Sequence, residues 1–280
     1  MKNYLIIIPM VACLAACSND TTDEPEPESL NTGRLTAVDA PNYHRSYTYD
    51  AEGRVSSTEY CHTSWAIETR CQMDYRYTPD RIYITYQEHR KALNEKAIND
   101  LRNFTRDDTL FLKNNRVDSC AGAIRGGTLF YMSFTYNVRG EMTSCHNDNV
   151  MPLYQSRRPW YTEDHTYEWA NGNIARKTII KSKRDTTVYV YTFSPLTGNV
   201  MVNDPCLPLP DFEPLIAQGY FGTICKNLPS TMTIGDKTWR WDYRMDTDKL
   251  VNAFEFSVPD MAEEPGLYVL KWDRKPFPAN

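Results

Sequence analysis

The side chains suited to acid–base, metal or nucleophilic chemistry are scattered along this chain and form no known catalytic motif. Its five histidines show neither an H-E-x-x-H arrangement nor a pair spaced four residues apart. Two short runs collect candidate ligands, Cys-His-Asn-Asp at 145–148 and Glu-Asp-His at 163–165, but both compositions are typical of turns. There is no G-x-S-x-G elbow and no phosphate-binding glycine loop. The sequence therefore predicts no catalytic residue, metal or cofactor, although its abundant carboxylates leave a glycosidase-type acid pair open.

The cysteines bear on disulfides rather than on zinc or redox chemistry. Those beyond residue 17 are Cys61, Cys71, Cys120, Cys145, Cys206 and Cys225, and no two of them form a C-x-x-C spacing. An even number in an exported protein is compatible with bridges between sequence neighbours, namely Cys61–Cys71, Cys120–Cys145 and Cys206–Cys225. The third would close an irregular segment, which gains most from a cross-link. Free buried thiols are the alternative at each position.

Aromatic side chains are the other candidate binding groups, because they make up 12% of the chain. Trp160, Tyr161, Trp169, Trp239 and Trp241 exceed what turns require, and they are the candidate ligand-facing aromatics. Aromatics two residues apart on a strand lie on one face of a sheet. Such a face either forms the core or lines a cavity for sugar rings or acyl chains. The alternation favours the core.

The N-terminus predicts export. An apolar run at 4–15 follows a single lysine, and it is shorter than the ~20 residues of a membrane-spanning helix, so it is typical of a secretory signal. It ends in Leu14-Ala15-Ala16-Cys17, which resembles the lipobox of bacterial lipoproteins. The resemblance implies that residues 1–17 hold the signal peptide and its lipobox, and that Cys17 becomes the lipidated N-terminus. Ordinary secretion after an A-x-A-like cleavage site is the alternative.

Residues 18–33 predict a disordered tether between the lipid and a folded domain. The segment is acidic and rich in Pro, Ser and Thr, so it cannot bury enough apolar surface to fold. Its flexible chain would have a mean reach of about 20 Å. Acidic tethers after a lipidated cysteine resemble the surface-export signal of Bacteroidetes lipoproteins, with a plain solvated linker as the alternative. The net charge of −5 and the absence of a basic cluster exclude nucleic acid as a predicted partner.

A hairpin unit recurs in the remaining chain, 34–280. Tyr47-Thr48-Tyr49-Asp50 begins a segment in which two aromatics precede a turn at Gly53 and a return strand at Val55. Related segments begin at Phe134, Tyr167, Tyr191 and Trp241. The turn requires a residue with positive φ, which favours Gly or Asn. We interpret Asp50, Gly53 and Arg54 as turn chemistry and the aromatics as core.

The predicted fold is all-β, an antiparallel meander of about ten to thirteen strands forming a strongly curved or barrel-like sheet within one domain. Residues 90–104 could form a short helix, with an irregular strand pair as the competing prediction. The Pro-rich segment 203–230 predicts an insertion packed over the sheet, because proline is excluded from sheet interiors. A short helix within it would begin near Asp211.

These features together resemble one family. An acidic lipoprotein tether, serial Y-x-Y-D-x-x-G-R-[VI] hairpins, and Gly219-Tyr220-Phe221-Gly222 followed by a Lys-Asn-Leu-Pro run at 226–229 are similar to the Bacteroidetes family called domain of unknown function 4595. Cys225 departs from the small polar residue that usually precedes this lysine in the family. The resemblance implies a porin-like antiparallel sheet and carries no established activity.

The predicted function is a non-catalytic outer-membrane lipoprotein, on the cell surface or the periplasmic face, that binds a lipid, a glycan or an envelope partner. Two alternatives stay open at this point. A glycan-active hydrolase would hold two acids and exposed tryptophan in one pocket. A structural envelope module would present a flat patch and no pocket.

Overall fold

The computed structural model describes residues 34–64, 66–94, 103–124, 127–150, 161–197, 212–247, 250–259 and 266–273. The strands are β1 (Arg34–Ala40), β2 (Tyr43–Tyr49), β3 (Val55–Ser64), β4 (Ile67–Tyr77), β5 (Arg81–Ala92), β6 (Phe104–Lys113), β7 (Arg116–Ile124), β8 (Gly127–Tyr136), β9 (Met142–Val150), β10 (Tyr161–Ala170), β11 (Asn173–Lys181), β12 (Asp185–Thr197), β13 (Asn227–Ile234), β14 (Lys237–Met245), β15 (Val251–Ser257) and β16 (Gly266–Asp273). One helix, α1 (Glu213–Ala217), lies between β12 and β13.

All these strands form one closed antiparallel barrel. Each strand pairs with its neighbours in the chain, and β1 closes the ring by pairing with β16. The all-β, barrel-like prediction is confirmed, but the predicted ten to thirteen strands were too few. Strands such as β9, with the sequence MTSCHNDNV, have little intrinsic strand preference. They are extended because both neighbouring strands hydrogen-bond to them.

Two local predictions are also corrected by the structure. The proposed helix at 90–104 begins inside a strand, since β5 continues to Ala92, and its end at Phe104 opens β6; residues 95–102 lie outside the described part. The Pro-rich insertion ends earlier than predicted, because residues from Asn227 onward form β13. Pro229 is tolerated in that strand because its pairing with Phe193 falls at a register shift.

Alternation along the strands gives the barrel an apolar inside and a polar outside. On β4 the inward side chains include the buried Cys71, Met73 and Tyr75, whereas the outward positions Arg70 and Asp74 and their neighbours are charged or polar. On β4 this pattern is opposite to that of a transmembrane barrel strand, whose lipid-facing side chains are apolar. Elsewhere on the outer wall, Phe111, Tyr131, Val190 and Val269 are exposed. No helix of the described residues is long and apolar enough to cross a bilayer.

Near one end of the barrel, every strand contributes one buried side chain to a ring, here called the belt. The even-numbered strands place large side chains there, none more than 8% exposed: Tyr47, Tyr75, Leu110, Phe134, Tyr167, Tyr191, Trp241 and Leu270. The odd-numbered strands place aliphatic side chains at their first or second residue, none more than 4% exposed: Leu35, Val55, Ile82, Val117, Met142, Ile174, Leu228 and Val251. The inward positions of the hairpin unit therefore recur on all eight even-numbered strands, six of which (β2, β4, β6, β8, β10 and β14) are joined to the following strand by a short turn. The hairpin predicted from Tyr191 is wrong, because β12 pairs with β13, which begins only at Asn227.

On six of the even-numbered strands, the second aromatic of the hairpin unit forms a hydrogen bond to the preceding strand. Six such side chains donate a hydrogen bond to a backbone carbonyl at the beginning of the preceding strand, over 2.6–2.8 Å: Tyr49 to Leu35, Tyr77 to Val55, Tyr136 to Val117, Trp169 to Met142, Tyr243 to Pro229 and Trp272 to Val251. At the corresponding positions of β6 and β12, Leu112 and Phe193 have no donor. These bonds provide hydrogen-bond donors for backbone carbonyls at the strand ends, and they hold neighbouring strands together at this rim of the barrel.

Replacing Tyr77 with Phe tests this rim interaction. The substitution keeps the ring but removes the donor to the Val55 carbonyl, so urea unfolding should show a loss of about 1 kcal/mol. Tyr83→Phe is the matched control, because Tyr83 lies on the outer wall beneath Arg76, and its change should stay within ~0.5 kcal/mol. Equal effects of the two substitutions would contradict a structural role for the rim bond.

Candidate functional site

The segment 212–226 closes one end of the barrel and is here called the plug. Phe212, Leu215, Ile216 and Phe221 are at most 6% exposed and belong to the same apolar cluster as the belt. The Phe221 ring meets belt residue Phe134 edge-on at 5.3 Å between ring centroids. A sixteen-stranded barrel is too wide for its own side chains to meet at the axis. The plug supplies the missing apolar atoms.

Backbone and side-chain hydrogen bonds hold the plug to successive hairpins. The Gln218 side chain donates to the Gly53 carbonyl and accepts from the Val55 N–H, at 3.2 and 3.3 Å. The Tyr220 carbonyl accepts from Val117 at 2.7 Å, and Tyr220 also stacks on Tyr77 at 5.9 Å between centroids. Further along, the N–H groups at 223 and 226 donate to the carbonyls of residues 140 and 172, each at 2.9 Å. These hydrogen bonds attach the plug firmly to the barrel wall.

The Gly-Tyr-Phe-Gly run is explained by this docking. Gly219 and Gly222 both have positive φ, +81° and +83°, where other residues are strained. A Cβ on Gly222 would lie 2.2 Å from the Gly140 carbonyl oxygen, whereas a Cβ on Gly219 would meet no heavy atom within 4 Å. The first glycine is needed for its backbone conformation, and the second also allows two backbones to approach.

A buried ion pair lies where the plug meets the wall. The Arg45 guanidinium of β2 donates from Nη1 to the Glu213 carboxylate at the beginning of α1. Arg45 is 4% exposed and Glu213 is 9% exposed. The guanidinium carbon lies 5.4 Å from the Tyr47 ring centroid and 5.8 Å from that of Tyr60. This pair forms the floor of the space above the plug.

On the side of the belt away from the plug, the inner wall carries partly buried aromatics. This region, the distal lumen, is lined by Tyr43, Tyr60, Phe104, Phe130, Tyr189, Trp239, Phe256 and Tyr268. The rings of Tyr43 and Tyr60 stack at 6.5 Å between centroids, and Tyr43 meets Tyr268 edge-on at 6.3 Å. These rings point inward and are only partly buried. The wall can contact apolar chains or the faces of sugar rings.

Inward-facing carboxylates are each paired with a cation. Arg90 donates to Glu88 at 2.6 Å and Arg106 to Asp108 at 2.9 Å. Glu163 accepts from His165 and lies 3.1 Å from the Lys181 ammonium. Hydrogen bonding from His165, with burial opposing it, holds the pKa of Glu163 below its usual value. A general acid needs the opposite shift, so Glu163 is not suited to that role.

The structure does assemble one nucleophile-like constellation, which the sequence spacing did not reveal. Cys145 of β9 and His165 of β10 are cross-strand partners, and the His165 Nε2 donates to Glu163 at 3.1 Å. However, Cys145 is 1% exposed, and burial raises the pKa of its thiol to about 12. A reactive cysteine needs a lowered pKa and access to substrate. This group is therefore a core cluster and not a catalytic triad.

The two candidate ligand runs lie on paired strands, not in turns. His146, on the outer wall, contacts Asp164 through Nδ1 at 2.5 Å and Asp148 through Nε2 at 3.1 Å. Hydrogen bonding to Asp164 and then to Asp148 raises the pKa of His146. Within the described ranges there is no group of three His, Cys, Asp or Glu side chains that could hold a metal ion.

The predicted bridges Cys61–Cys71 and Cys120–Cys145 do not form, because the strand register separates their thiols. Cys61 lies opposite Arg70 and faces outward, whereas Cys71 faces the core. Cys120 and Cys145 both face inward, but β8 runs between their strands, which places the Cα atoms beyond the ~7 Å limit of a disulfide. Cys225 is a free thiol that accepts from the Ile174 N–H at 3.4 Å, and Cys206 lies outside the described residues.

The aromatics singled out from sequence have different roles. Trp169 is one of the rim donors and Trp241 belongs to the belt, at 4% exposure. Trp239 lines the distal lumen, whereas Trp160 and the side chain of Tyr161 lie outside the described part. The lumen aromatics Tyr43, Tyr60 and Tyr268 were not among the candidates singled out from sequence. Without the strand register, the sequence does not show which aromatic side chains face the inside of the barrel.

Comparison with known proteins supports the fold and no activity. No protein-family model matches this chain, and no curated protein does. Among solved structures, a porin-like protein from Bacteroides uniformis aligns with a TM-score of 0.60 at 12% identity, covering 87% of this chain and 99% of that one. A porin-like protein from Bacteroides vulgatus aligns with a TM-score of 0.54 at 9% identity, covering 85% and 98%. At such identities the likeness shows the barrel fold alone, and membership of the domain of unknown function 4595 family stays a prediction.

Alanine at the two plug glycines should separate backbone strain from steric conflict. Gly222→Ala combines a strained φ with a clash against Gly140, so the free energy of unfolding should fall by more than about 2 kcal/mol. Gly219→Ala should cost only about 1 kcal/mol, because strain is its sole penalty. Urea denaturation of both variants checks this, and an equal loss would contradict the docking of Gly222.

Alkylation of the native protein should distinguish the thiols. Iodoacetamide at pH 8 is expected to modify the half-buried, outward-facing Cys61 and to leave Cys145 unmodified until urea is added. Peptide mass spectrometry reads the modification at each position. Rapid modification of native Cys145 would restore the nucleophile interpretation.

Proposed function

We propose that this chain is a lipid-anchored, non-catalytic binding module whose distal lumen holds a small ligand with an apolar body, either a lipid or a glycan. The observation that carries the proposal is the partly buried aromatic wall above a closed floor. Pockets for small molecules are mainly apolar and aromatic, with a few polar groups that orient the ligand. Tyr43, Tyr60 and Trp239 supply the aromatic lining. The Arg45–Glu213 pair at the floor supplies the polar groups that would orient the ligand.

The plug and the outer wall support a container rather than a pore. A pore needs a continuous aqueous path, whereas here Phe212, Leu215 and Phe221 fill the axis at the belt. The outward side chains of β4, with Arg70, Asp74 and Arg76 among them, favour water over lipid. A barrel of this kind reaches a membrane through an attachment rather than by insertion.

Lipidation at Cys17 would supply that attachment. The Tyr49 rim bond to Leu35 places the beginning of β1 at the plug end of the barrel. A tether at 18–33 would therefore join the barrel at its closed end, with the distal lumen at the opposite end. We propose an outer-membrane location on this basis, on the cell surface or the periplasmic face.

The pairing of the inward acids counts against the hydrolase alternative. Among the described residues, the inward acids Glu88, Asp108 and Glu163 each interact with their own cation, whereas a glycosidase uses two carboxyl groups that face the substrate. The distal lumen likewise counts against a purely structural module, which would have no internal space.

Tryptophan fluorescence tests ligand binding. Titration with octanoate and with short oligosaccharides should change the emission of the wild-type protein, because Trp239 lines the proposed site. Trp239→Phe should remove most of that change, whereas Trp272→Phe, at the rim, should preserve it. Loss of the same signal in both variants, or no response to either ligand class, would reject the distal lumen as the site.

Mass spectrometry of the mature N-terminus tests the anchor. The wild-type peptide beginning at Cys17 should carry acyl chains, and Cys17→Ala should lose both the acyl mass and the retention in the outer-membrane fraction. Cys13→Ala is the matched control, since that residue lies within the predicted signal. Outer-membrane retention of Cys17→Ala would contradict lipid anchoring.

A further inference from the structure

A group of unused hydrogen-bond donors lies at the floor of the distal lumen. Glu213 occupies only Nη1 of Arg45, and no acceptor in the described residues is aligned with Nε or Nη2. The hydroxyls of Tyr47 and Thr58, which are cross-strand partners on β2 and β3, also have no partner there. Arg45 and Tyr47 are 4% exposed and Thr58 is fully buried. Buried donors without acceptors are costly and rare in folded proteins.

From this grouping we infer that the distal lumen binds a carboxylate, held by the free edge of Arg45 with help from the hydroxyls of Tyr47 and Thr58. The inference rests on the proposed function and names the chemistry of its ligand. The Nε and Nη2 donors point along one edge of the planar guanidinium, and this fork matches the two oxygens of a carboxylate.

The surroundings of Arg45 favour an anion held at a fixed angle. The rings of Tyr47 and Tyr60 lie 5.4 and 5.8 Å from the guanidinium carbon, which restricts its orientation. Burial raises the pKa of Tyr47 well above its usual value, so its hydroxyl keeps the proton needed for donation. Glu213 is the one like charge described against this site, and it weakens anion binding while holding the plug.

Access to the free edge is from the distal lumen. Tyr43 precedes Arg45 by two residues on the same inner face and approaches the guanidinium with its hydroxyl. Entry of a carboxylate requires Tyr43 to turn aside, which is a rotamer change of one partly buried side chain. The aromatic rings beyond it would then contact the body of the ligand.

The same carboxylate chemistry occurs on fatty acids and on uronic acids, and calorimetry can separate the two sources. The full-length chain in nanodiscs would be titrated with octanoate and methyl octanoate, and with a galacturonate disaccharide and its methyl ester. In one of these pairs the acid should bind at least tenfold more tightly than the ester. Equal binding of acid and ester in both pairs would overturn the carboxylate site and leave the proposed function intact. Binding of none of the four would reject the proposed function itself.

Isosteric variants provide the sharper test. Because the Tyr47 and Thr58 hydroxyls are unpartnered, Tyr47→Phe and Thr58→Val should unfold at higher urea than the wild type. Both should nevertheless weaken binding of the acid several-fold without changing that of the ester. Glu213→Gln should strengthen acid binding, because it removes the opposing charge. Unchanged acid affinity in Tyr47→Phe and Thr58→Val would overturn the inference, even if their stabilities rise.

Discussion

The width of the barrel is the constraint on which the rest of this structure depends. Sixteen strands enclose an axis that the side chains of the wall cannot reach, so an apolar belt alone would leave an unfilled centre. The connection between β12 and β13 fills that centre with Phe212, Leu215, Ile216 and Phe221. This requirement explains why the chain carries one long, Pro-rich connection among short hairpins. It also explains why Gly222 must lack a side chain where the plug crosses the Gly140 carbonyl.

The repeated hairpin unit supplies the wall into which the plug fits. Its first aromatic packs in the belt, and its second donates to the carbonyl of the preceding strand, so one sequence signature fixes packing and register together. The strands then alternate polar outward and apolar inward. The plug residues are buried in the same core and close the barrel at one end. The internal space lies on one side of the belt, where Tyr43, Tyr60 and Tyr268 are only partly buried.

The proposed function depends on the hydrogen-bond donors at the floor of the distal lumen. The Arg45–Glu213 pair joins the plug to the wall and leaves Nε and Nη2 of the guanidinium without an acceptor among the described residues. Inward acids elsewhere form ion pairs with Arg90, Arg106 and Lys181. We propose that this floor and the aromatic wall together bind an amphipathic acid.

The sequence by itself determined the fold class, the hairpin unit and its turn residues, because alternation, paired aromatics and Gly53 at φ +81° are local properties of the backbone. It also indicated that Phe221 and its flanking glycines form a separate element. Only the tertiary structure decided the closure between β1 and β16 and the outward direction of Cys61, since both depend on register. It likewise decided the meeting of Arg45 with Glu213, which lie 168 residues apart in the chain. Local pattern cannot encode contacts across an axis, and the candidate site consists of such contacts.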